Sequence, residues 1–300
     1  VNDGPSPALS DAPPVDGQRI ALGVEYDGTG FHGWQVQAGG LRTVQACLQE
    51  ALSRVADCPV TVHCAGRTDT GVHALEQVVH FDTRARRSSR AWVLGSNANL
   101  PDDVNVLWAM PVPMAFHARF SATARHYRYL ILARATRSAL QRRRALWTHR
   151  PLDLGSMQEA AEALVGEHDF SSFRALACQA KSPVRRIDYL ELERRGDLIE
   201  LCVGANGFLH HMVRNIVGVL MAIGCGDAAT SWTARLLALR DRSCGGVTAP
   251  PHGLYLDRVD YPRGLGVPPR AAQESRGACV AAGRAASLPL VGPRQGSLSW

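Results

Sequence analysis

Gly66-Arg67-Thr68-Asp69-Thr70-Gly71-Val72-His73 places one carboxylate in an unusual setting. The apolar run Val60-Thr61-Val62-His63-Cys64 before it reads as a short strand that delivers Asp69 into a glycine-flanked polar loop, and Gln77 to Asp82 beyond it reads as the next strand. A permanent cation, Arg67, stands two residues before the acid. A carboxylate beside an arginine suits nucleophilic or electrostatic work better than proton donation. The same residues also fit a tight surface turn whose Asp merely caps backbone groups.

Outward from this loop, periodicity predicts alternating strands and helices. Arg19 to Tyr26 reads as a strand, and Thr43 to Ala56 as a helix with Thr43 at its cap. A helix from Ser89 to Asn97 leads to a strand from Val104 to Met110. The second half opens with a strand, His126 to Leu132, then a helix from Leu154 to Val165. Strands at 185–194 and 198–205 are joined by a turn at Gly196-Asp197. A long apolar helix spans Phe208 to Ile223, a shorter one Trp232 to Ala238, and the strand from Gly253 to Val259 closes the pattern. Antiparallel strands with helices segregated to one face define an α+β architecture. Residues 1–18 and 263–300, rich in Pro, Ser, Gly and Ala, read as disordered tails around two halves, 19–115 and 116–262.

The chain has 300 residues, 46% of them hydrophobic, enough for a sizeable core. Its net charge of +6 is carried almost wholly by arginine, Lys181 being the single lysine. Arginine's planar fork suits phosphate and stacks on bases, so an RNA or DNA partner fits this balance, although a GC-rich genome also favours arginine codons. The eight cysteines show no C-x-x-C pair and no zinc spacing with histidine, which points to reduced thiols and a cytoplasmic protein. No apolar stretch approaches a membrane span, and no basic-then-apolar leader opens the sequence.

Five blocks in register resemble the tRNA pseudouridine synthases of the TruA type. They are Tyr26-Asp27-Gly28-Thr29-Gly30-Phe31-His32-Gly33-Trp34-Gln35, the Asp69 stretch through Ala74, Phe120 to Tyr129, Phe208 to Gly218, and Ala249 to Leu256. Thr70 stands where many members carry Ala, and the tail after 264 has no counterpart. The resemblance implies two similar α/β-sandwich halves sharing a central, mostly antiparallel sheet, with the active cleft between them. It implies isomerisation of uridine to pseudouridine at positions 38, 39 and 40 of the tRNA anticodon stem-loop, by a homodimer using no metal and no organic cofactor.

On this resemblance Asp69 is the catalytic carboxylate and Arg214 its ion-pair partner, carried on a largely apolar helix. Tyr127 stacks on the extruded base, since a stem base cannot be reworked inside the stack. Alternation puts Tyr127 and Tyr129 on one face, so spacing does not choose between them; the resemblance chooses Tyr127. Leu254 lines the other side of the base pocket, and Arg67 enters the vacated space or contacts phosphate. His73 serves either substrate binding or the loop's own hydrogen bonding. The His210-His211 pair invites a zinc reading, but neighbours on a helix point about 100° apart, so no metal is expected. Arg137, Arg142, Arg143, Arg144 and Arg150 form a basic run that is either solvated or phosphate-contacting. Two other readings compete: a non-catalytic RNA-binding protein of the same fold, and a dimeric aspartic protease using Asp69-Thr70-Gly71.

Overall fold

The computed structural model describes residues 17–176 and 178–268. The N-terminal part contains β1 (Gln18–Tyr26), α1 (Val44–Ala56), β2 (His63–Cys64), β3 (His73–Thr83), α2 (Ser89–Asn97) and β4 (Val104–Val112). The C-terminal part contains β5 (Ala124–Ala133), β6 (Leu146–Thr148), α3 (Leu154–Glu162), β7 (Gly166–Asp169), β8 (Val184–Arg195), β9 (Leu198–Ala205), α4 (Met212–Gly224), α5 (Trp232–Leu239) and β10 (Leu254–Asp260). Residues 1–16 and 269–300, expected as disordered, lie outside the described residues. Gln18 already belongs to β1, and Arg263–Leu265 form a 3-10 turn rather than the start of a tail.

One sheet runs in the order β4-β1-β3-β10-β5-β9-β8-β7, with β2 on β3 and β6 on β5. This is an α+β fold around a large, mostly antiparallel sheet. The parallel pairings are β10 with β3 and β6 with β5. The joint at β10 positions the chemistry. Tyr255 and Leu256 pair with His73 and Ala74 on one side, while Leu254 and Leu256 pair with Tyr129 and Tyr127 on the other. The loop that feeds β3 is thereby laid against the middle of β5.

Two hydrophobic clusters flank this joint. One gathers Leu22, Val24, Leu48, Leu52, Phe81 and Trp92 from the N-terminal elements, and the other Tyr129, Phe170, Phe173, Ile216 and Leu220 from the C-terminal ones. Burial of such apolar area supplies the main driving force for the fold. Leu48 and Leu52 lie one helical turn apart on the inner face of α1, whose first turn is capped when Thr43 Oγ1 accepts the Ala46 N–H.

Several boundaries differ from expectation for identifiable reasons. Only His63 and Cys64 of the strand expected at 60–64 pair with β3. The N–H groups of Val60 and Val62 donate instead to Ser53 Oγ (2.9 Å) and Gln49 Oε1 (3.1 Å) on α1, so the ladder cannot extend over them. The α3 helix stops at Glu162 rather than Val165, because Gly166, at φ 108°, turns the chain into β7. The α4 helix begins at Met212, not Phe208, with His211 in the left-handed region at φ 61°. Strands β6 and β7 have no counterpart in the expectation. The seven cysteines among the described residues are free thiols.

A buried histidine ties stability to pH. His80 on β3 accepts the Ala118 N–H at Nδ1 (3.1 Å), and burial, reinforced by the Arg19 charge, lowers its pKa from the ordinary 6.5 to about 3. The unfolded chain therefore binds this proton between about pH 6.5 and 3 while the folded chain does not. Stability accordingly falls as pH drops through that window. Urea unfolding at pH 7 and pH 5 should show a smaller acid loss for His80→Gln than for the parent chain; an equal loss in both would remove His80 as the source.

Candidate active site

The Asp69 loop is anchored at nearly every step. Ala65 N–H donates to Val78 O, and the buried Gln77 side chain brackets Gly66, donating to its carbonyl and accepting its N–H. Thr68 is held by the Tyr26 hydroxyl at its Oγ1 (2.8 Å) and by the Trp34 N–H at its carbonyl (3.0 Å). Val72 N–H closes a turn onto Asp69 O (3.1 Å), with Gly71 at φ 78° in the third position, where a type II turn requires positive φ. This rigid frame leaves the Asp69 side chain 24% exposed at the wall of a cleft of about 1180 Å³.

Three cationic or ionisable side chains converge on that carboxylate. Arg214 Nη1 donates to Oδ2 at 2.9 Å, and its Nε donates to Ala249 O at 2.8 Å, so the guanidinium is held from both ends. Ala249 can reach α4 because residue 218 is glycine: a Cβ there would stand 1.8 Å from Val247 O. His210 Nε2 lies 3.3 Å from Oδ1, and His211 Nε2 lies 3.2 Å from Oδ2. The His211 pKa is lowered, chiefly by burial and further by the Arg214 charge, with Asp69 pulling the other way, so a neutral ring is favoured at pH 7.

Apolar periodicity places both imidazoles on a helix running from Phe208 and gives them no contact with Asp69. They stand instead on the entry to α4, with ring centroids 4.0 Å apart. The preceding Asn206-Gly207, a turn-forming dipeptide, was the available signal. The expected 100° divergence of the rings therefore does not hold. Asp69, His210 and His211 offer ligand atoms within 4.8 Å of one another, close enough for one cation. What opposes a metal is Arg214, a fixed positive charge on the same carboxylate.

Tyr127 is half-buried on the cleft wall, with its ring edge-on to Phe208 at 5.0 Å, and Leu254 lines the same cleft. Burial, reinforced by the Asp69 charge, raises the Tyr127 pKa, which keeps the phenol neutral. Tyr129 takes the other fate: it is wholly buried in the C-terminal core and its hydroxyl donates to Pro250 O (2.7 Å). Arg67 opens onto the cleft and makes no ion pair with Asp69; the cation that meets the acid is Arg214.

His73 departs from a substrate-binding role. It is 2% exposed and does not line the cleft. Its Nδ1 accepts the Gly28 N–H (3.0 Å), which leaves the proton on Nε2, facing Arg143 O (2.9 Å) and His252 O (3.3 Å). Burial lowers its pKa, so its 3.1 Å approach to Asp27 is that of a neutral ring, and its work is to tie the loop to its surroundings.

Arg125 is a residue the sequence reading passed over. Its guanidinium donates to Ala65 O, Arg119 O, Ala122 O and Asn206 O, joining the stems of three cleft-lining segments. In the basic run, Arg144 pairs with Asp27 (3.2 Å) and Arg150 with Asp227 (2.6 Å), whereas Arg137, Arg142 and Arg143 line a separate hollow of about 710 Å³. Among the described residues lining the main cleft, Arg67, Arg119, Arg125, Arg185 and Arg214 face one carboxylate, Asp69. That balance suits a polyanion. The Arg214 guanidinium on Asp69 also opposes the shared proton on which an acid protease depends.

The cleft thus sets one carboxylate among arginines, beside an aromatic ring and an apolar side chain. The chain belongs to the tRNA pseudouridine synthase family, whose model matches residues 23–121 and 160–262. It is 59% identical over 249 residues to the tRNA pseudouridine synthase A of Methylococcus capsulatus, covering 83% of this chain and 92% of that protein. The enzyme of the same name from Nitrosococcus oceani is 62% identical over 250 residues (83% and 96% covered), and that from Pseudomonas aeruginosa 54% over 270 residues (90% and 95%). Among solved structures, an archaeal box H/ACA sRNP Nop10-Cbf5 complex is similar at a TM-score of 0.30 and 12% identity, over 67% of this chain and 53% of that one. That likeness is too slight to bear on function. No helix among the described residues is long and apolar enough to cross a membrane.

Proposed function

We propose that this chain isomerises uridine to pseudouridine at positions 38, 39 and 40 of the tRNA anticodon stem-loop, with Asp69 as the catalytic carboxylate. The observation that carries the reading is the Asp69–Arg214 pair, at 2.9 Å, on the wall of a cleft whose other charged groups are arginines. The reaction breaks the N1–C1′ bond, turns the uracil, and forms a C5–C1′ bond; C5 loses its hydrogen as a proton and N1 gains one. Asp69 acts either by attack on the sugar or base, or by abstracting a sugar proton to give a glycal. Arg214 offsets the cost of holding the ionised acid against the extruded nucleotide. Tyr127 and Leu254 bracket the uracil while it is detached, and base–aromatic stacking of about 1–3 kcal/mol is enough to retain it. Arg67, unpaired with Asp69 and open to the cleft, takes the space vacated in the RNA or a flanking phosphate. Neither a metal nor an organic cofactor has a step in this scheme, and the working unit is a cytoplasmic homodimer.

Carbodiimide labelling followed by primer extension reads the product by position. Treated tRNA transcripts carrying uridine at 38, 39 or 40 should give stops at those positions, equally with chelator present. Stops confined to another arm, or none in the anticodon arm, would contradict the proposed site.

A further inference from the structure

The Phe120 side chain is 76% exposed on the wall of the cleft that Asp69 and five arginines also line. It is not a loose apolar residue. The segment 117–121 folds back on itself: Ser121 N–H donates to His117 O (2.9 Å), and His117 N–H donates to Ser121 Oγ (2.9 Å). His117 Nδ1 in turn accepts the N–H groups of Arg119 (3.1 Å) and Phe120 (3.3 Å), which fixes the imidazole in its neutral form. Behind it the rings continue. Phe120 lies 4.4 Å from His117, His117 lies 4.6 Å from His80, and His80 lies 4.9 Å from His63. The Arg119 guanidinium stands 5.6 Å from the Phe120 ring centre and makes no ion pair among the described residues. The backbone beneath is tied to the base of the Asp69 loop by Arg125, which bonds both Arg119 O and Ala65 O.

An aromatic face held this firmly, yet open to solvent, is prepared for a flat partner. The ordering cost that a mobile loop would carry on binding has largely been met by the fold. The unpaired guanidinium beside it suits a phosphate, and the five arginines of the cleft select an anionic chain over an apolar peptide. We infer that Phe120, backed by His117 and flanked by Arg119, is a second stacking subsite, which takes a nucleobase flanking the target uridine while Arg119 meets its phosphate. This rests on the RNA-modifying reading above. Tyr127 holds the base that reacts; Phe120 holds a neighbour in place and thereby sets the register of the strand.

The test uses an anticodon stem-loop RNA with 2-aminopurine beside the target uridine, and the variants Phe120→Ala, Phe120→Leu and Phe120→Trp. Binding to the parent protein should quench the 2-aminopurine, and Phe120→Ala should abolish the quench, raise KM by about tenfold or more, and leave kcat within about threefold. Phe120→Trp should restore both readouts, whereas Phe120→Leu should not. Parent-like KM and quenching in Phe120→Ala, or full rescue by leucine, would overturn the subsite while leaving the activity standing. A KM change accompanied by an altered mass in light scattering would assign Phe120 to a contact between copies of the chain instead. Failure of the parent protein to bind or convert the stem-loop would overturn the RNA reading and the subsite together.

Discussion

Asp69→Ala should lower pseudouridine formation by at least about 10⁴-fold, the scale on which enzymes lose activity when a reacting group is removed. Its tRNA affinity should stay within about tenfold. The two effects separate because an RNA interface draws its affinity mainly from phosphate contacts, to which one acid contributes little. The loop itself should survive the change, since its anchors are the bonds made by Gln77, Tyr26, Trp34 and Val72 rather than the carboxylate. Arg214 would lose one partner but keep Ala249 O, in a cleft open enough for water to reach the freed guanidinium. Filter binding, thermal unfolding and product analysis on one preparation check this together. A parallel loss of binding and thermal stability would make Asp69 a structural residue.

Arg128→Ala should destabilise the fold by about 3–5 kcal/mol, the cost typical of breaking a buried ion pair from one side. Arg128 is 2% exposed on β5, with Nη1 3.0 Å from Glu200 Oε1 on β9 and Nη2 3.0 Å from Asp257 Oδ1 on β10. Removing the guanidinium takes an ion-pair partner from two largely buried carboxylates, of which Asp257 keeps Arg258 at 3.7 Å, at the joint that unites the halves of the sheet. For a chain of this size the loss should appear as a fall in Tm on the order of 10 °C. Replacing all three with apolar residues of similar volume, Arg128→Met with Glu200→Leu and Asp257→Leu, should recover much of it, because the two carboxylates go together with their cation and Arg258 keeps Asp260 at 3.4 Å. Urea unfolding of the single and triple variants checks both statements. A triple variant as unstable as Arg128→Ala would show that packing at these positions, not uncompensated charge, carries the effect.

The elements with a clear apolar period were legible in the sequence, and those whose ends depend on distant partners were not. Helix α1 announces itself through Thr43, Leu48 and Leu52, and its boundaries hold to a residue. Strands β6 and β7, of three and four residues, are too short to show alternation and exist because β5 and β8 offer edges to them. The strand expected at 60–64 shrank because two side chains of α1 capture its N–H groups, a competition no local pattern displays.

The site divides in the same way. Asp69, Arg214, Tyr127 and Leu254 were named from a motif resemblance, and the fold brings all four to one cleft. The loop's amino-acid pattern by itself allowed a simple turn. The approach of His210 and His211 to Asp69 is not legible in the sequence, because apolar periodicity continues the α4 helix backwards over a turn. His73, four residues after the acid, points away from the cleft because β3 starts there and pairs with β10. Arg67, two residues before the acid, makes no ion pair with it; the partner is Arg214, 145 positions away, which only the resemblance singles out.

The most direct measurement of the central claim is tritium release from tRNA labelled at uracil C5, since forming the C5–C1′ bond must expel that hydrogen. Purified protein in the presence of chelator should release tritium from anticodon-arm uridines, and Asp69→Asn, which keeps the shape of the side chain but not its charge, should release none. Release by both proteins at similar rates, or by neither despite salt-sensitive tRNA binding, would contradict the assignment of this carboxylate to pseudouridine formation.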